Sequence, residues 1–131
     1  MKRSFLIWAS FFGLTAVING AMGAHALKSV LGDTLLNSFQ TGVRYQMFHA
    51  ILLLILGFQP YERYHSKLLL WLIVLGTLCF SFSIYLLSTR ELIGIEGLER
   101  LGPVTPIGGT LLIAAWITLL IKSFKRTKNT E

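Results

Sequence analysis

Apolar residues in this chain gather into four long blocks, about 4–24, 41–58, 67–88 and 105–121, separated by short polar stretches. A helix needs about 20 residues to cross a hydrocarbon core of roughly 30 Å, so each block is long enough for one passage. Lipid offers no hydrogen bonds, so only helices and closed barrels can span it. Runs such as Ile51 to Leu56 lack the strict alternation of a barrel strand, and helices are expected. The connections leave no room for a separate soluble domain. Residues 1–131 are therefore read as a single integral membrane domain.

Within the first block Ala9, Gly13, Ala16, Gly20 and Gly23 recur at spacings that place them on one helix stripe. Small residues let helices approach closely in lipid, so this stripe marks the face toward a neighbour, leaving Phe5, Trp8, Phe12 and Leu14 for lipid or side packing. Between the first two blocks Ser29, Asp33, Asn37 and Gln40 fall on one stripe and Leu27, Val30, Leu31, Leu35 and Phe39 on the other. That pattern predicts a short interfacial helix on the outer leaflet, broken at Gly32, with Asp33 as N-cap of the next helical stretch. The third connection, with Gly94, Gly97, Gly102 and Pro103, is expected to be an irregular loop with a helical turn near Leu98. Thr105 and Pro106 fit the N-cap and first position of the last helix. The fold class is thus all-α: a transmembrane four-helix bundle with a short outer interfacial helix between spans 1 and 2.

Composition agrees with a membrane protein, at 53% hydrophobic and 14% charged residues. Charge adds orientation. With four crossings, Lys2, Arg3, Arg63, Lys67, Lys122, Lys125, Arg126 and Lys128 share one side, and with Glu62 and Glu131 they carry the whole +6 surplus. On the other side Lys28, Arg44, Arg90 and Arg100 are balanced by Asp33, Glu91, Glu96 and Glu99. The positive-inside rule then places both termini in the cytoplasm. The basic tail lacks interleaved aromatics or a nucleic-acid motif, so anionic headgroups rather than nucleic acid are its expected contact. The first block, ending in Ala24-His25-Ala26, also has the form of a secretory signal. Its small-residue stripe, which a disposable signal does not need, favours retention. The one cysteine, Cys79, excludes an intramolecular disulfide and reads as a packing residue.

Polar side chains inside the blocks are unevenly placed: Asn19, His25, Arg44, Tyr45, Gln46, His49, Ser81, Ser83 and Tyr85 cluster toward the outer surface. At 1.5 Å rise per residue Asn19 lies about 9 Å below His25, His49 about 12 Å below Thr41 and Ser81 about 10 Å below Ser88, so three helices can supply one layer. Tyr45, Gln46 and His49 are expected on one face of the second helix. Three readings of this layer stand open: hydrogen bonds clasping the helices, an outward-open cavity for a small ligand, ion or lipid headgroup, or a metal or haem site on His25 and His49. Arg44 could snorkel to headgroups or neutralise Glu91, Glu96 or Glu99. There is no carboxylate pair inside a block, nucleophile elbow, phosphate loop or cysteine–histidine spacing, so no catalytic residue, metal or cofactor is assigned. A small transporter or channel using the layer is the alternative, and a conducting path through such short helices would call for a homo-oligomer.

Four stretches carry a resemblance: Gly20-Ala21-Met22-Gly23-Ala24-His25-Ala26-Leu27, Thr41-Gly42-Val43-Arg44-Tyr45-Gln46-Met47-Phe48-His49-Ala50, Phe80-Ser81-Phe82-Ser83-Ile84-Tyr85 and Thr105-Pro106-Ile107-Gly108-Gly109. In these the chain resembles the YgdD/YwdK-type family of small bacterial integral membrane proteins of unknown function. The resemblance implies four helices in the inner membrane and brings no activity, so no site residue is carried over. Phe82 stands where the family's serine-rich stretch has a small glycine, and a bulky ring there argues against close helix contact or alters the shape of any cavity.

Overall fold

A computed structural model describes residues 1–124; Lys125, Arg126, Lys128 and Glu131, which bear on the orientation, lie outside the described residues. Four helices are long and apolar enough to cross a membrane. They are α1 (Lys2–Ala24), α2 (Asp33–Phe58), α3 (Lys67–Ser88) and α4, whose α-helical part is Val104–Phe124. Helix α1 packs along α2, α3 packs along α4, and the far half of α2 leans on α3. One end of the bundle gathers Lys2, Arg3, Arg63, Lys67 and Lys122 and is called the basic end below.

The core is built from one stripe of each helix. Phe5, Ala9 and Phe12 of α1 meet Ala50, Leu53 and Leu56 of α2, Leu69, Ile73 and Val74 of α3, and Ala115 of α4. The small residues Ala9, Ala16 and Gly23 are buried as expected, and of the rings left for lipid or side packing Phe5 and Phe12 are fully buried with them. A four-helix centre is wider than a two-helix seam, and rings interleaved with the small residues fill it. Gly20 and Gly23 are the seam itself: a Cβ on Gly23 would lie 3.3 Å from the Phe39 ring.

Between α1 and α2 the chain forms turns rather than the expected interfacial helix. The Leu27 amide donates to the Met22 carbonyl and the Leu31 amide to Leu27. Leu27 and Leu31 tuck onto Phe39 and Tyr85, making a second, smaller core at the far end. So short a segment is a poor independent helix, and burying its two leucines decides the shape. Gly32 does interrupt the chain, in an extended conformation, but it is the N-cap and Asp33 is the first helical residue. The polar stripe of Asp33, Asn37 and Gln40 belongs to the first turns of α2.

Two local features set the register of α3 and α4. At Leu78–Phe82 the α3 ladder widens into a π-turn. Against it α4 presents Gly108, where an added Cβ would lie 2.3 Å from Phe80 N and 2.7 Å from Cys79 C. The two backbones touch there, and glycine is required by the approach. Helix α4 starts two residues earlier than expected, at Val104 rather than Pro106, with the Pro103 carbonyl accepting from the Ile107 amide. Thr105 and Pro106 therefore both lie in the first turn, where the missing proline N–H is harmless. The α3–α4 connection has the expected turn at Leu98–Leu101, preceded by a one-turn helix at Arg90–Ile93, with Gly94 and Gly97 at positive φ.

At the basic end Ser66 caps α3 by accepting from the Leu69 amide. His65 closes α2: its Nε2–H donates to the Leu56 carbonyl at 2.9 Å while the ring edge meets Phe5.

Candidate functional site

The centre of the polar layer is Gln46, which has no exposed surface. Its carboxamide N–H groups donate to the Phe12 carbonyl (2.9 Å) and to the Thr15 hydroxyl, and its oxygen accepts from the Tyr85 hydroxyl at 2.7 Å. Thr15 passes its own proton to the Phe11 carbonyl at 2.8 Å. The Asn19 side chain lies near the Tyr85 phenol. One chain of bonds thus runs from α1 through α2 to α3.

Ser81 adds a second link. It sits in the π-turn and donates to the Gly42 carbonyl of α2 at 2.8 Å. This contact is possible because Gly42 lets α3 close in: a Cβ there would lie 2.8 Å from the Tyr85 ring. Ser83 faces the other way. Its hydroxyl donates to the Cys79 carbonyl and meets the Thr105 hydroxyl of α4 at 2.7 Å, so Thr105 donates to Ser83.

His49 is buried but belongs to another group. Its Nδ1 lies 2.7 Å from the Tyr45 carbonyl, and its Nε2 is 3.4 Å from the Trp116 indole nitrogen. A carbonyl only accepts and an indole N–H only donates, so the neutral Nδ1–H tautomer satisfies both. Tyr45 is exposed and lies over Phe80, with ring centroids 4.6 Å apart. The expected common face of Tyr45, Gln46 and His49 is therefore split: Gln46 turns to α1 and to Tyr85 of α3, while Tyr45 lies over Phe80 of α3 and His49 reaches Trp116 of α4. Adjacent residues differ by about 100° around a helix, and the widened α3 leaves room for only one of the two directions at the centre.

Two candidates stand outside the layer. His25 is the exposed C-cap residue of α1. With Gly23 against Phe39, it sits about 15 Å along the bundle from His49, and the two histidines do not form one site. No group of three or more metal-ligating side chains occurs among the described residues. Arg44 is exposed and folds back to donate to the Thr41 hydroxyl at 3.0 Å. Neither the glutamates of the loop nor the clasp engages it among the described residues.

Sequence reasoning missed Thr15, Trp116 and His65. Thr15 was findable, being one helical turn from Asn19 on the same stripe. Trp116 gave no signal, since a tryptophan near lipid is unremarkable in pattern. Phe82 fills the gap between the two cores, with its ring edge on Tyr85 at 5.6 Å. Thr77, fully buried just before the π-turn, keeps a hydroxyl without a partner among the described residues.

Taken together, the helices and their internal hydrogen bonds define a small four-span membrane protein. The chain belongs to the family described as "Protein of unknown function (DUF423)", which matches residues 19–109. It is 35% identical over 124 residues to a UPF0382 membrane protein of Staphylococcus haemolyticus, covering 94% of this chain and 97% of that one. It is 33% identical over 126 residues to the UPF0382 membrane protein YwdK of Bacillus subtilis, with 94% and 98% covered. A UPF0382 membrane protein of Haemophilus influenzae is 34% identical over 126 residues, with 95% and 97% covered. No solved structure matches the chain. It is thus a bacterial-type membrane protein of uncharacterised family, in agreement with the resemblance carried by its four sequence stretches.

Proposed function

We propose that this is a non-enzymatic integral protein of the bacterial inner membrane, with both termini cytoplasmic, whose polar layer is a structural clasp. The carrying observation is Gln46: a fully buried amide whose donors and acceptor are all taken by protein groups from α1 and α3. A layer so consumed leaves no free amide donor at its centre for a substrate. The orientation is supported by the basic end, which the positive-inside rule places on the cytoplasmic side. An accessory role in envelope assembly or envelope stress is the setting attached to this reading, because the bundle offers neighbours its surface rather than a reaction centre.

Gln46→Leu tests the clasp. The variant leaves Tyr85 without its acceptor and is expected to lose about 1–3 kcal/mol of stability. A parent-like unfolding temperature would refute it. Fusions of a fluorescent protein and of alkaline phosphatase to the C-terminus test the orientation; phosphatase activity there would overturn it.

One observation favours a second reading, a small transporter or channel acting as an oligomer. A groove of about 470 Å³ opens beside Tyr45, His49 and Trp116. If it serves a solute, His49→Ala abolishes flux in proteoliposomes while the Gln46 clasp keeps the fold. Unchanged flux would dismiss it.

A further inference from the structure

At the basic end a pocket of about 430 Å³ is lined by Met1, Lys2, Arg3, Glu62 and His65. Its wall carries two opposite sets of groups. Lys2 and Arg3 open α1, and the Ser4 and Phe5 amides both turn to the Met1 carbonyl, so the amides of Lys2 and Arg3 are the free donors of that helix end. Those amides and the two cationic side chains suit a phosphate. Facing them, Glu62 is an exposed carboxylate at the start of the turn Glu62–Tyr64.

His65 is the second, independent element. It is only 8% exposed, yet it lines this pocket. Its Nε2–H is committed to the Leu56 carbonyl, which leaves a lone pair on Nδ1 that no described residue uses. Glu62 and His65 Nδ1 are therefore acceptors set beside a cluster of donors. The pocket also lies where α1 enters the apolar layer, with Ile7 exposed just below it for acyl chains.

We propose that this pocket binds the headgroup of a phospholipid bearing a phosphate and a primary ammonium, of the phosphoethanolamine type. The phosphate sits on Lys2, Arg3 and the α1 amides, and the ammonium donates to Glu62 and His65 Nδ1. A phosphoglycerol head supplies the anion and neutral hydroxyl donors but no cation to pair with Glu62, and a phosphocholine head has a cation with no N–H. The acceptor half of the pocket thus discriminates, while the basic half only attracts.

The test uses the full chain with a C-terminal tag, in detergent, offered dioleoyl phosphatidylethanolamine, phosphatidylglycerol and phosphatidylcholine at equal concentration, with retained lipid read by native mass spectrometry. Phosphatidylethanolamine is expected to be retained about threefold or more over the other two, the scale of one exposed ion pair with an added hydrogen bond. Glu62→Gln should bring it down to the phosphatidylglycerol level. Lys2→Gln with Arg3→Gln should lower both lipids together. Both variants change exposed side chains, so unaltered melting accompanies the expected result. Equal retention of the ethanolamine and choline lipids, or a preference that survives Glu62→Gln, would overturn the proposal. Displacement of the lipid by soluble glycerophosphoethanolamine at matched concentration would overturn the lipid assignment in favour of a free phosphoester.

Discussion

Adjacent glycines on α4 give a sharp internal comparison. An alanine at position 108 places its Cβ 2.3 Å from Phe80 N, 2.7 Å from Cys79 C and 2.8 Å from Phe80 Cα, all backbone atoms of the π-turn. None of these can rotate away. Restoring ordinary contact moves α4 outward by roughly 1 Å, and overpacking of this kind costs about 1–3 kcal/mol. The move also stretches the 2.7 Å Ser83–Thr105 bond, adding about 0.6 kcal/mol. Against this, replacing a helical glycine returns up to about 1 kcal/mol. The net expectation for Gly108→Ala is a loss of about 1–3 kcal/mol, or roughly 4–12 °C in melting temperature. At position 109 the nearest atom is Phe80 Cδ2 at 3.7 Å, an ordinary contact, so Gly109→Ala should be neutral or slightly stabilising. The free thiol of Cys79, half-buried at the same crossing, is a native reporter: a maleimide dye that fluoresces on reaction follows its exposure during heating. Equal melting of the two alanine variants, or greater damage at 109, would refute the assignment of this crossing as backbone on backbone.

Gly57→Ala meets chiefly the Leu6 side chain, its Cδ2 at 2.6 Å and Cγ at 2.9 Å, with Phe5 Cβ at 3.4 Å, and a Leu6 rotamer change should absorb it, giving a loss under about 1.5 kcal/mol by the same thermal assay. His65→Phe should keep the ring contact with Phe5 but strand the Leu56 carbonyl, for a loss of about 1 kcal/mol; a variant at least as stable as the parent would remove His65 as a cap. A double-mutant cycle of Ser83→Ala and Thr105→Val should give a coupling near 0.6 kcal/mol, and strict additivity would show that the hydroxyl pair is not made.

The four spans were legible because block length and lipid physics leave few alternatives. The layer of Asn19, Gln46, Ser81 and Tyr85 was legible as a depth, since rise per residue is fixed. Which of its members touch was not. That depended on the π-turn at Leu78–Phe82, which adds one residue to a helical turn and rotates everything after it. No hydropathy pattern records such an insertion. The burial of Phe5 and Phe12 was hidden for a different reason: apolar residues facing lipid and facing protein look alike in sequence. The turns at Leu27 and Leu31 reflect a tertiary choice, burial against Phe39 and Tyr85, that overrode an amphipathic pattern.

The bonds of Gln46 also fall in an order in time. Its amide partners, Phe12 and Thr15, are synthesised before it, so α1 and α2 can join as a hairpin while the chain is still emerging. Its oxygen waits for Tyr85, some forty residues later. Helix α4 contributes nothing to that chain of bonds and docks through Gly108 and Thr105 onto a surface already complete. Biogenesis can thus proceed as a hairpin, then a locked trio, then a fourth helix, with a nascent chain truncated before Tyr85 holding its most buried amide half satisfied.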